Sequence, residues 1–451
     1  HFTAEDIGKL LGILAFAFSF LAIWLYLRWR ARNNHVVLDN TKIILASLLY
    51  TFAPYRIFNY ATRGALPEHL AFAFVPFAFW GIDLLLHKKW RAGFPLLTLA
   101  LSLLILTNLP ATAVAGIGIF LYVLFQERKK RSDGWKGILC GGVAALLLTA
   151  FYLLPVEQMF GLVQMERLWR AVPLVQSTPF LAIFTGEALT INSYTFIMLI
   201  GACALWIVWF RSGNFARPFS WIVAFIIAAQ LPIVTQYLYR FVPPFTIVQL
   251  ASRFSILLIL IAALAWQDEG NRASKQFPIV SWVVVFWSVC TIGLVSLQLA
   301  DIHIHKHGPL AIGEAPEYAT KWAKPYYIWG NSLAAPFEND SQTVVCHNAK
   351  TISAHRTAYT DSITVEADPN ATALLRRAYW PEWKAEIDGT DANLLADSLG
   401  RITVIVPQGK HTLILRLQEA SSVKLGVWIS FAAFIILMGS VLIPNHKKTS
   451  S

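Results

Sequence analysis

Residues 59–91 read "NYATRGALPEHLAFAFVPFAFWGIDLLLHKKWR", a polar mouth, an apolar run from 67 to 86 and a basic exit. At a helical rise of ~1.5 Å per residue such a run covers a hydrocarbon core of roughly 30 Å. It is far longer than a strand and lacks the polar stripe of a surface helix, so it reads as a membrane span. Arg63, Glu68 and His69 then stand at one end of the span and a Lys/Arg cluster at the other.

The same pattern recurs along the chain. Of 451 residues 56% are hydrophobic and only 14% charged, outside the range of soluble globular domains. Eleven apolar runs are read as spans, at 8–27, 40–56, 67–86, 93–107, 109–125, 136–155, 193–210, 217–233, 246–266, 277–299 and 423–443. The fourth is short enough to tilt or to span only in part. Cys140, Cys203 and Cys290 fall inside spans and Cys346 stands alone in a polar segment, which offers neither a disulfide framework nor a metal spacing. No structural metal is expected. The opening "HFTAEDIGKL" has no basic region leading into a short apolar core, so it is read as the middle of a longer chain rather than a signal peptide.

The net charge of +11 is placed with a pattern. "RWRAR" follows the first span, "HKKWR" the third, "QERKKRSDGWK" the fifth, "RSGNFAR" the seventh, "NRASK" the ninth and "NHKK" the eleventh. Every odd-numbered span exits into Lys and Arg, which makes those exits cytoplasmic and excludes nucleic acid as the reason for the charge. Residues 1–299 form a multi-span domain, 300–422 an extracytoplasmic domain, and 423–451 a last span with a cytoplasmic tail. Segment 300–422 carries 11 Lys and Arg against 14 Asp and Glu, so it is mildly acidic while the positive excess lies in the membrane part.

From 361 onward the period shortens to two. "SITVEA", "ALLRRAYW", "WKAEIDG", "NLLAD", "RITVIVP" and "HTLILRLQ" read as strands separated by "DPN", "DGT", "SLG" and "PQGK". Asp388-Gly389 is a hairpin signal, because both central positions of a type I′ turn need positive φ. The expected fold is therefore a polytopic α-helical membrane protein bearing a small extracytoplasmic antiparallel β-sandwich. That sandwich serves as a lid or gripping module, or as a structural cap. Trp380 and Trp383 read as core or rim aromatics.

Ionisable residues gather on the outer side, where a carboxylate near the bilayer costs at least a few kcal/mol and points to function. The first complete outer loop holds Arg56, Arg63, Glu68 and His69. The second holds Glu157, Glu166, Arg167, Arg170 and Glu187, and the third region Arg240, Gln249 and Arg253. Arginine forks suit phosphate oxygens, so an anionic head group is the expected ligand, with a carboxylate as general base. Arg56 and Arg240 also suit snorkelling to the interface, Glu68 suits an N-terminal helix position, and His69 is expected to face water. Within 156–192, "QMERLWRAVPLVQ" reads as an amphipathic helix on the outer surface.

"LYTFAPYRIFNYATRGALPEHLAFAFVPF", "FTIVQLASRFSILL", "PEYA", "YWPEWKAEIDG" and "VPQGKHTLILRL" together resemble YfhO-like bacterial membrane proteins, also labelled 6-pyruvoyl-tetrahydropterin-synthase-related. The resemblance covers essentially the whole chain and extends to the GT-C superfamily of integral-membrane glycosyltransferases. It implies transfer of a sugar from a polyprenyl-phosphate donor to a glycan or lipid acceptor at the outer face of the bacterial cytoplasmic membrane. It singles out Tyr55, Arg56, Arg63, Gly64, Glu68, Gln249, Arg253, Phe254, Glu317 and Tyr318, with Glu68 as the catalytic carboxylate and the arginines on phosphate. "LTNLP" puts Asn108 where relatives carry a possible base, and "LASR" keeps only the arginine of a longer relative motif. A divalent cation is compatible with the superfamily, though no all-protein site is visible. The resemblance further implies an N-terminal span and a first-loop aspartate ahead of His1. A transporter or flippase of lipid-linked saccharides would use the same basic cavity, and would carry paired broken helices. A scaffold for envelope assembly would need none of these charges to act.

Overall fold

The structure, a computed structural model, describes residues 4–33, 39–61, 64–126, 128–163, 203, 206–207, 218–229, 234, 237–238, 241–248, 251–268, 321–322, 344–397 and 400–442. The expected spans at 193–210 and 277–299 lie outside these residues, almost entirely for the first and wholly for the second, as does most of segment 156–192. Arg63, Arg240, Gln249, Glu317 and Tyr318 lie outside them too. The described residues divide between two compact units, one of helices and one holding the sheet.

The helices are α1 (Ala4–Asn33), α2 (Asn40–Thr51), α3 (Pro54–Ala61), α4 (Leu66–Ala71), α5 (Val75–Leu86), α6 (Trp90–Thr107), α7 (Leu109–Leu124), α8 (Arg128–Leu148) and α9 (Ala150–Phe160). After them come α10 (Pro218–Ala229), α11 (Pro243–Val248), α12 (Ser255–Asp268) and α13 (Ser421–Leu442). Among the described residues four stretches are long and apolar enough to cross a membrane: Asp6–Asn33, Leu66–Leu86, Trp90–Thr107 and Ser421–Gly439. Gly134–Leu148 with Ala150–Phe160 passes the same test as a broken pair. The chain is thus a membrane-associated protein with several apolar helices and a C-terminal antiparallel sheet. The fourth run is not short after all, since α6 begins at Trp90 and reaches 18 residues.

Two runs expected to be continuous are broken. The run 40–56 ends at Thr51 and restarts at Pro54, because proline has no N–H to continue the ladder. The run 246–266 is split into α11, a single 3-10 turn at Ala251–Phe254, and α12. Within 66–86 the chain instead turns at Phe72–Phe74 and goes on. Pro76 cannot donate to the Phe72 carbonyl, and the Tyr50 hydroxyl takes that place at 2.7 Å.

Helices α5, α6 and α8 pack against one another closely. Gly81 permits it: a Cβ there would lie 2.7 Å from the Leu97 backbone nitrogen. Small residues at such crossings let backbones approach where lipid supplies no hydrophobic drive. Gly81→Val is therefore expected to destabilise the bundle by at least ~1–3 kcal/mol, the usual range for overpacking. A thermal melt in detergent with no downward shift would refute this.

In the second unit, β1 (Val344–Arg356), β2 (Thr360–Ala378), β3 (Trp383–Ile387), β4 (Thr390–Ala392), β5 (Leu394–Ala396), β6 (Arg401–Val406) and β7 (Gly409–Leu417) form a single sheet. Its order is β4-β3-β7-β2-β6-β5, with β1 on the other side of β2, and every pair is antiparallel. A sandwich of two separate sheets was expected. "DPN" does not separate two strands: β2 runs through it, pairing with β7 over 360–367 and with β6 from 371. Asn370 takes φ 60 at that point, so the strand changes partner without ending. Alternate residues from both halves, including Ile363, Val365, Leu375, Val404, Leu413 and Leu415, share one buried core. Strand β1 was not foreseen, because two register shifts break its alternation.

Asp388 and Gly389 both adopt positive φ, 50 and 80, as the hairpin reading requires. The Asp388 carboxylate accepts from the Thr412 N–H at 2.8 Å and meets His411 Nδ1 at 2.6 Å. Those bonds hold the Asp388 carboxyl below its usual range, and the Asp388 carboxylate raises His411 above the usual histidine value. The raised histidine contributes fully below its ordinary 6.5 and less as pH climbs through its folded value. The lowered aspartate contributes fully above its ordinary 3.8 and less as pH falls through its folded value. Protection of the Thr412 amide, corrected for intrinsic exchange, is expected to peak between those two values and to decline toward alkaline pH.

Candidate functional site: a buried carboxylate between two helix breaks

Helix α3 presents Tyr55 and Asn59 four residues apart, on one helical face. Both reach Glu68 on α4. Its Oε1 accepts from the Tyr55 hydroxyl at 2.6 Å and from Asn59 Nδ2 at 2.6 Å. Its Oε2 accepts from Arg253 Nε at 3.1 Å, across 185 positions of sequence. Glu68 is 1% exposed and Arg253 7%, so this is an ion pair withdrawn from solvent. Glu68 stands in the first turn of α4.

Arg56 was expected to snorkel and His69 to face water; both are 0% exposed. Arg56 Nε donates to His69 Nδ1 at 3.1 Å. A guanidinium can only donate, so His69 Nδ1 accepts, and its Nε2–H is left to donate to the Gly12 carbonyl at 3.1 Å. The arginine also donates to the carbonyls of Thr51 at 3.2 Å and Ala15 at 2.8 Å, and lies over the rings of Phe16 and Phe72. The imidazole is packed between Phe16 and Tyr60, and Gly12 makes room, since a Cβ there would fall 2.4 Å from the Tyr60 hydroxyl.

The two arginines do the same job at the two breaks. Arg56 reaches back five residues to the carbonyl of Thr51, where α2 ends. Arg253 reaches back five residues to the carbonyl of Val248, where α11 ends, at 2.6 Å. Each donates to the carbonyl of the last described residue of its helix, a position where an unmet carbonyl is costly in apolar surroundings.

A second polar cluster lies at the other end of α1, and the sequence reading missed it. Asp83 on α5 accepts from Tyr26 at 2.7 Å, from Tyr122 at 2.7 Å and from Arg30 at 3.2 Å, tying α1, α5 and α7 together. It is 3% exposed. Gly12 and Arg30, which mark the two clusters on α1, are about 27 Å apart at roughly 1.5 Å per residue. The clusters therefore sit near opposite ends of the helical unit. A carboxylate inside "FWGIDLLL" was itself a legible signal. Asn59 was legible as well, through its helical spacing from Tyr55.

No family model, curated protein or solved structure matches the chain. Tyr55, Arg56, Glu68 and Arg253 are brought together, with Phe254 buried next to Arg253. Gly64 takes φ 63 in the turn before α4, and Asn108 caps α7 by accepting from the Ala111 N–H at 2.8 Å. Asn108 thus has a structural task at the start of α7. Glu157 is exposed on α9. Among the described residues no group of three or more His, Cys, Asp or Glu is arranged to hold a metal ion. Trp383 is buried in the sheet's core and Trp380 packs against it, in keeping with core aromatics.

Proposed function

We propose that this chain is a glycosyltransferase of the bacterial cytoplasmic membrane, YfhO-like and of the GT-C kind. It passes a sugar from a polyprenyl-phosphate donor to a glycan or lipid acceptor at the outer face. One observation carries the reading: Glu68 and Arg253, drawn from two distant motifs of the resemblance, meet in a buried ion pair. The alternating basic exits support eleven spans, with the sheet outside and the C-terminus in the cytoplasm.

In the observed state Glu68 accepts from Tyr55, Asn59 and Arg253 and is closed from solvent, so an acceptor hydroxyl cannot reach it. Binding of the donor changes this if its phosphate competes for Arg253, whose fork suits phosphate better than a single-point contact to a carboxylate. Arg253 then stabilises charge on the leaving phosphate. As the sugar's anomeric carbon leaves the phosphate oxygen and bonds to the acceptor oxygen, the freed Glu68 takes the acceptor's proton.

Arg63, Gln249, Glu317 and Tyr318 remain proposed donor or acceptor contacts, and a divalent cation remains compatible with the reading. The test is transfer of labelled sugar from polyprenyl-phosphate donors in membranes, with Glu68→Gln and Arg253→Lys at equal folded abundance. Transfer is expected from the parent and a loss of about 100-fold or more from Glu68→Gln, in the range a general base contributes. Undiminished transfer in Glu68→Gln would remove the base from this mechanism.

A second reading is favoured by the paired helix breaks, each closed by an arginine five residues on. Broken helices at matching places are how membrane transporters build midplane sites. Absence of transfer with any donor, together with protein-dependent movement of labelled lipid across the bilayer, would select that reading.

A further inference from the structure

The inner face of the sheet does not stop where the core closes. In strands, residues two apart share a face, so Tyr359 belongs with Asp361 and Ile363, and Leu417 with Leu413 and Leu415. Ile363, Leu413 and Leu415 are at most 1% exposed, whereas Leu417 is 36% and Tyr359 68% exposed. The two are neighbours, the Leu417 N–H donating to the Tyr359 carbonyl at 2.9 Å. An apolar strip thus emerges at one end of the sheet.

That end is the one that continues into α13. From Leu417 to Ser421 is four residues, at most about 14 Å of extended chain. Helix α13 is long and apolar enough to cross a membrane, and its large side chains, among them Trp428 and Ile436, are widely exposed. The cations Lys384 and Arg416, paired across β3 and β7, and Lys424 in the first turns of α13 are exposed at the same end.

The tip itself is held rigidly. Arg377 grips Asp361 through Nε and Nη2 at 2.6 Å each, and bonds the Thr357 carbonyl. Its guanidinium lies over Trp383, 4.9 Å from the ring centre. A tip pinned in this way presents Tyr359 in a fixed place rather than leaving it to fold onto the core. The Asp388-Gly389 turn closes the far end of β3, away from α13.

We propose that the β1–β2 tip, Thr357–Tyr359, together with Leu417, seats in the headgroup layer of the bilayer that α13 enters. The occupant of this apolar end is lipid. Tyrosine suits that layer by its apolar ring and polar hydroxyl, and Lys384, Arg416 and Lys424 suit anionic headgroups. The sheet is then anchored at a set height by the tip as well as by α13. The inference rests on α13 spanning the membrane and is independent of the chemistry proposed for Glu68.

The test labels single cysteines in the full chain, with Cys140, Cys203, Cys290 and Cys346 replaced, in liposomes of phosphatidylcholine and phosphatidylglycerol. An environment-sensitive fluorophore at Tyr359→Cys is compared with one at Ile436→Cys on α13 and one at Asp391→Cys by the far turn. The expected pattern is quenching at 359 by lipids with a nitroxide near the headgroup, at 436 by a deep nitroxide, and at 391 by neither. Quenching at 436 with an aqueous signal at 359 overturns the proposal and leaves the membrane reading standing. No quenching at 436 overturns both. A photoreactive benzoylphenylalanine at 359 in the chain with native cysteines gives a second measurement, because lipid adducts are expected there and their absence counts against the proposal.

Discussion

Arg253→Met is expected to lower the stability of the folded chain by about 3–5 kcal/mol, the cost of leaving a buried charge without its partner. Glu68 is 1% exposed and keeps the neutral donors Tyr55 and Asn59 once the Arg253 guanidinium is gone. The Val248 carbonyl also loses its donor where α11 ends. Adding Glu68→Gln is expected to recover a large part of the loss, because the amide oxygen still accepts from Tyr55 or Asn59 and no charge is stranded. Unfolding in bicelles, read for both single variants and the double, measures the coupling. A single Arg253→Met variant within about 1 kcal/mol of the parent would mean that the pair is solvated like a surface pair, whose worth is ~0–1 kcal/mol. The same double variant separates the two roles of the pair: stability should return while sugar transfer should not.

The second large effect is expected at Asp83. Asp83→Ala removes the acceptor shared by Tyr26, Tyr122 and Arg30 where α1, α5 and α7 meet, again a loss of about 3–5 kcal/mol. Tyr26→Phe or Tyr122→Phe removes one hydrogen bond to a charged group and should cost about 1.5–3 kcal/mol. The ordering is the test: thermal melts must place Asp83→Ala below either tyrosine variant. Equal shifts for all three would show that tyrosine packing, not the carboxylate, holds the three helices. Because the clusters occupy opposite ends of α1, the Asp83 and Arg253 losses are expected to add.

Periodicity and charge made much of this architecture readable in advance. The run 67–86 announces a span by length alone, and Leu66–Leu86 is helical, long and apolar enough to cross a membrane. Asp388-Gly389 announces its turn because few residue pairs tolerate positive φ at two successive positions. Glu68 and Arg253 were readable as costly charges beside apolar runs. What escaped was partnership. Hydropathy sees Tyr55 only as the end of an apolar run and Asn59 only as a loop residue, and it gives no hint that His69 is closed in by Gly12, Phe16 and Tyr60. "DPN" misled for a related reason: a turn-forming triplet in isolation is overruled when β6 and β7 bind the strand on either side of it.

The amino-acid sequence by itself determined that this is a membrane-associated protein with an antiparallel β domain, since span length, alternation and turn chemistry are local properties. The tertiary structure alone decided that Arg56 and His69 are buried rather than exposed, that Arg253 belongs to Glu68, and that two helices break where arginines close them. Those are choices of partner between residues far apart in sequence. Burial makes them binding: once water is excluded, a charge or an open carbonyl must find its partner within the fold.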